Sequence, residues 1–83
     1  MSDVEIISPL PGIFYRQPSP EAAPFVKDGD KVEPDTIIGL IEVMKQFSEI
    51  FAETRGIISA ITIQNGDAVE PGQVIAIIKT DNE

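Results

Sequence analysis

The sequence predicts an all-β fold, a flattened barrel or sandwich of two similar halves, and three observations carry the prediction. Its apolar residues fall in short β-branched or aromatic runs separated by turn signals. No stretch carries an apolar stripe of helical period long enough to stand alone. One segment also repeats: Asp28-Gly29-Asp30-Lys31-Val32-Glu33-Pro34-Asp35-Thr36-Ile37-Ile38-Gly39-Leu40-Ile41 returns 37 residues later as Asn65 to Ile78. Gly, Asp, Val, Glu, Pro and two Ile positions are identical across that offset. A repeat of strands and turns implies halves related by a pseudo-twofold axis.

The elements follow in order. Val4 to Ile7 and Gly12 to Tyr15 read as strands, separated by Pro9-Leu10-Pro11. Gly12-Ile13 matches Gly56-Ile57 at an offset of 44, so the first half holds seven extra residues before Gly29. Their natural place is Arg16 to Pro24, where three prolines withhold N–H groups from any sheet. Asp28-Gly29 opens a turn, a short strand follows, Glu33-Pro34 turns again, and Thr36 to Ile41 is an apolar strand. The connection between halves forms a hairpin at about residues 42–47, around Val43 to Gln46. Phe47 to Ala52 and Ile57 to Ile63 are the next strands. Asn65-Gly66, a short strand, Pro71-Gly72 and the strand Val74 to Lys79 complete the second copy. Lys45 thus stands at an exposed tip between two matching halves, far from the chain ends.

Composition bounds the chemistry. The 83 residues, 42% of them hydrophobic, suffice for one domain with one modest core, read as 1–83. With no cysteine there is no disulfide framework and no thiolate, which fits a reducing cytoplasm. No apolar run has the length of a membrane span, and no signal peptide follows Met1. Fourteen acidic against six basic residues give a net charge of −8, which argues against nucleic acid and anionic membranes as partners and favours a basic docking surface. Without histidine, imidazole acid–base catalysis and His or Cys metal ligation are excluded. Asp28, Asp30, Glu33 and Asp35 lack the spacing of a calcium loop and read as turn formers, like their counterparts Asn65, Asp67, Glu70 and Gly72.

What remains is Lys45 as a group to be modified. An exposed primary amine is by itself a poor nucleophile at neutral pH, so its useful chemistry is to be acylated by an enzyme that supplies an activated carboxyl group. Beside it, Met44 is expected to pack partly as a gap-filler, and Glu42 to be solvated.

Glu42-Val43-Met44-Lys45 resembles the attachment motif of biotin carboxyl carrier domains, usually Glu-Ala-Met-Lys-Met, and the resemblance covers about Ile7 to Lys79. Ser8-Pro9-Leu10-Pro11-Gly12-Ile13-Phe14-Tyr15-Arg16-Gln17-Pro18-Ser19-Pro20 is similar to the opening of the bacterial acetyl-CoA carboxylase carrier. The resemblance implies two four-stranded antiparallel sheets, the biotinyl/lipoyl fold, with a protruding thumb at about 16–24 beside the attached biotin. It implies biotin joined to Lys45 by a biotin protein ligase, with Met44, Glu42 and thumb residues Gln17, Pro18, Ser19, Pro20 and Glu21 around the cofactor. The loaded arm, on the order of 15 Å long in extended bonds, would serve biotin carboxylase and a carboxyltransferase. The expected role is a non-catalytic carrier in acetyl-CoA carboxylation for fatty acid biosynthesis, in the cytoplasm or, in a plant, the plastid stroma. Gln46 stands where the family has Met, and Val43 where it has Ala; both flank the acceptor and bear on ligase recognition. The family's acetyl-CoA carboxylase subunit has a longer N-terminal region, so the chain reads as an excised domain or a small free-standing carrier. Three alternatives stay open: a lipoyl carrier domain of a 2-oxo acid dehydrogenase complex, a carrier for another biotin-dependent carboxylase, and an unmodified interaction domain.

Overall fold

The structure, a computed structural model, describes residues 2–80; the expected domain limits at 1 and 83 lie outside them. Eight strands run β1 (Ser2–Ile7), β2 (Gly12–Tyr15), β3 (Lys31–Val32), β4 (Ile37–Val43), β5 (Gln46–Phe51), β6 (Gly56–Ile61), β7 (Ala68–Val69) and β8 (Val74–Thr80). They form two four-stranded antiparallel sheets, ordered β1-β8-β6-β3 and β5-β4-β2-β7. Exchanging the first four strands with the last four converts one order into the other, so each sheet draws strands from both halves.

The symmetry extends to single residues. Val43 pairs with Gln46 in β4–β5 as Thr80 pairs with Ser2 in β8–β1, and both pairings slip at the same point, just after Ile37 and Val74. Fully buried Val32, Ile38 and Ile41 face the core like Val69, Ile75 and Ile78, and Phe14 like Ile58. Gly39 accommodates the Phe14 ring, and a Cβ there would collide with it; the equivalent positions in the other half are Ala76 and the smaller Ile58, both buried. Phe and Gly in one half thus stand where the other half has Ile and Ala, a size exchange of the volume-conserving kind that cores tolerate.

The turns repeat as well. Asp30 N–H donates to Lys27 O (3.0 Å) and Asp67 N–H to Gln64 O (3.1 Å), with Gly29 and Gly66 at φ 93° and 90°. Positive φ at the third position requires the missing side chain. Asp30 Oδ2 also accepts from Lys27 N–H at 2.9 Å, the turn role expected of it.

Three expectations need correction. β4 runs Ile37–Val43 rather than Thr36 to Ile41, and β5 runs Gln46–Phe51 rather than Phe47 to Ala52, because pairing continues up the hairpin to Val43 and Gln46. β6 ends at Ile61, although Ile63 is still buried. Met44 does not pack; it is 91% exposed.

Candidate functional site

The loop joining the halves is Met44-Lys45, held between the paired residues Val43 and Gln46. Both loop residues have positive φ, 52° and 67°, the backbone of the tight hairpin turn whose twist suits the flanking strands. Asn-Gly or Asp-Gly would adopt it without strain, and the chain uses those pairs at 28–29 and 65–66. Here two L-residues with long side chains carry a cost of about 1–2 kcal/mol each. The cost is tolerable because β4 and β5 extend over seven and six residues below the turn. The result is a lysine with no flexible loop beneath it.

Under the hairpin, the outer face of its sheet carries a small cluster. Phe47 pairs across the strands with Glu42, and Glu42 with Ile13. The Tyr15 hydroxyl donates to Glu42 Oε1 at 3.0 Å, and the Tyr15 and Phe47 rings lie 6.1 Å apart, tilted by 58°. Glu42 is therefore half-buried and bonded rather than simply solvated. The other sheet serves as an internal control. The positions equivalent to Phe47 and Glu42 are Asp3 and Lys79, register partners there, so the aromatic cluster belongs to the lysine-bearing end alone. Sequence reading missed Tyr15 and Phe47 as members of this site; breaking of the repeat at these positions was the signal available.

The Tyr15 pKa is raised from its ordinary value, first by the hydrogen bond to the Glu42 carboxylate, then by desolvation, then by charge repulsion from Glu42. A raised folded-state value means the neutral phenol is favoured on folding, so its stabilisation is complete below the unfolded value and is lost as pH rises through the folded one. Tyr15→Phe keeps the ring and removes only the hydroxyl. The melting-temperature deficit of that variant should be constant from neutral pH to about 10 and should shrink in stronger alkali. A deficit that grows with alkali contradicts the assignment.

The thumb forms as a closed loop. Phe25 N–H donates to Arg16 O at 2.8 Å and closes its base. Inside, Gln17 Nε2 donates to Ser19 O (2.9 Å) and Pro20 O (3.1 Å), and Ala22 N–H to Ser19 O (3.1 Å). The structure thus brings Gln17, Ser19 and Pro20 together, with Pro18 and Glu21 exposed. Among the described residues, no hydrogen bond joins residues 17–23 to Glu42, Met44 or Lys45. Tyr15, next in sequence to Arg16, connects the thumb base to the hairpin cluster.

Residues 4–78 match a protein-family model described as "Biotin-requiring enzyme". The chain belongs to that family. Among relatives of this biotin-requiring family, the biotin carboxyl carrier protein of acetyl-CoA carboxylase from Chlamydia trachomatis is 47% identical over 58 residues, 70% of this chain and 35% of that protein. The Haemophilus influenzae protein of the same name is 43% identical over 56 residues, 68% of this chain and 36% of its own. The chloroplastic acetyl-CoA carboxylase carrier 2 of Arabidopsis thaliana is 53% identical over 51 residues, 61% of this chain and 20% of that one. The chain spans about a third of the length of the bacterial relatives. Kluyveromyces lactis urea carboxylase contains the same fold, with a TM-score of 0.77 and 28% identity over 95% of this chain and 6% of that one. Among the described residues no helix is long and apolar enough to cross a membrane.

Proposed function

We propose that Lys45 carries covalently attached biotin and that the domain is a mobile carrier of carboxyl groups for acetyl-CoA carboxylation to malonyl-CoA. The observation that carries this reading is the exposed lysine on a two-residue positive-φ turn in a chain of the biotin-requiring family. The residues fit the group. A primary amine is the atom needed for an amide to biotin's carboxyl, and a tight turn holds it clear of the sheets in one geometry. When bound, biotin supplies a ureido ring that accepts and releases a carboxyl group. The protein's contribution is positional: the turn orients the amine, and the Tyr15–Glu42–Phe47 cluster stiffens its base. In this reading the domain itself catalyses nothing.

The partners that follow are a biotin protein ligase, a biotin carboxylase and a carboxyltransferase, and the bacterial and chloroplastic relatives support the cytoplasm or plastid stroma as compartment. Acetyl-CoA is preferred as acceptor because the three acetyl-CoA carboxylase carriers are 43–53% identical, against 28% for urea carboxylase. Incubation with biotin protein ligase, biotin and ATP should add one biotinyl group by intact mass. Failure to biotinylate, or modification by a lipoate ligase instead, overturns the proposal.

The thumb is proposed to line the cofactor through Gln17 to Glu21. In the second half Ala60 and Ile61, the equivalents of Arg16 and Pro24, are directly bonded. Deleting Gln17 to Ala23 should therefore cost no more than about 1 kcal/mol of stability. The deletion should leave biotinylation intact and slow carboxyl transfer; unchanged transfer would reduce the thumb to an ornamental loop.

A further inference from the structure

The two sheets leave one long seam between them. β1 and β5 are the outer strands of their sheets at six residues each, whereas the opposite edges, β3 and β7, have two residues each. An outer strand offers alternate backbone N–H and C=O groups to an incoming chain, and proteins usually blunt a long edge with lysine, proline or a bulge. Neither Ser2–Ile7 nor Gln46–Phe51 contains lysine or proline. The extra residues at the two register slips sit in the inner strands β8 and β4.

A cleft of about 380 Å³ runs between these edges. Ile6 and Ile50 line its depth, and Ile7 and Phe51, 51% and 36% exposed, line its mouth. Glu5 and Glu49 form a further symmetric pair, with Glu53 beyond them, and no lysine or arginine lines the cleft. Apolar depth and carboxylate rim therefore alternate along both edges.

We infer that this seam is a docking site for an extended segment of a basic partner protein, alternating apolar with Lys or Arg side chains, which adds to the free edge of β5. Main-chain pairing to the edge supplies affinity, and alternate side chains supply specificity. Apolar side chains enter over Ile6 and Ile50 while the basic ones, on the opposite face of the added strand, meet Glu49 and Glu53. β5 is favoured over β1 because two of the three carboxylates lie on it or just after it. A second copy of this chain is disfavoured, since two chains of net charge −8 would bring like-charged rims together. β5 begins immediately after Lys45, so a partner held on this edge stays within about 20 Å of the lysine. The inference does not depend on what Lys45 carries.

The test titrates the unmodified chain, observed by backbone amide NMR, with a capped peptide of about seven residues alternating Lys and Val, a length typical of strands. Controls are an alternating Glu–Val peptide and a Lys/Val peptide of the same composition in two blocks. Saturable shifts at 46–53 and 4–9, weakened by about 0.5 M salt and absent with both controls, are expected. Glu49→Lys/Glu53→Lys should weaken binding roughly tenfold, while Asp67→Lys/Glu70→Lys, the same charge change elsewhere, should not. Equal binding of the blocked peptide, shifts spread over the whole surface, or no saturation overturns the inference. Spectral dispersion of each variant shows that it is folded.

Discussion

Lys45→Arg should fold as the wild type does and should acquire no biotin. Arginine has a similar chain length and the same backbone preferences at this turn, so the β4–β5 pairing is undisturbed. Its guanidinium is planar, delocalised and protonated throughout the accessible pH range, and it does not form the amide that a primary amine forms. The expected result is complete loss of the adduct by intact mass, with an unchanged melting temperature to within about 0.5 kcal/mol of stability. The other three lysines, Lys27, Lys31 and Lys79, give the experiment its internal control. Residual modification of the variant would mean that an amine other than Lys45 is used, and the turn geometry would lose its significance.

Phe14→Ala should be the most destabilising single change considered. Phe14 is fully buried, and its ring lies over Gly39, where the backbone leaves a space that only a large opposing side chain fills. Removal should cost about 3–5 kcal/mol, a large share of the roughly 5–15 kcal/mol that a small domain possesses. The symmetric site makes the prediction sharper. Ile58→Ala removes a smaller buried side chain at the equivalent position and should cost less, about 2–5 kcal/mol. Chemical denaturation of both variants ranks them; an Ile58→Ala penalty larger than that of Phe14→Ala would contradict the size-exchange account of the core.

Much of the architecture was legible because the repeat is local information used twice. The offset of 37 residues located the matching turns and apolar strands, and the change from 44 to 37 located the thumb. Lys45 was legible for the same reason, as the residue between copies. Three things were not. The mixing of halves within each sheet is a matter of which strands pair, and strand pairing leaves no mark on the alternation of either strand. The bond from Tyr15 to Glu42 spans 27 residues, and nothing in either local stretch announces it. The exposure of Met44 follows from a turn with only two residues between the paired Val43 and Gln46, since a tip residue of so tight a loop has no wall to pack against.

The biotinyl assignment and the seam concern different ends of one strand. β5 starts at the Lys45 turn and runs along the open edge, so the modification proposed at its beginning and the docking proposed along its length can be separated by mutation. Lys45→Arg leaves Glu49 and Glu53 untouched, and the double reversal of those carboxylates leaves the turn untouched.

The matching of Val43–Gln46 with Thr80–Ser2 has a topological consequence. On one sheet the paired strands are joined by a two-residue turn; on the other, among the described residues, the same register pair stands side by side with no such turn. A turn of the same length linking Thr80 to Ser2 would close residues 2–80 into a ring with two equivalent corners. Opening that ring at any of the other turns yields circular permutants of one fold. A lysine built into the new corner would turn a one-armed molecule into a two-armed one.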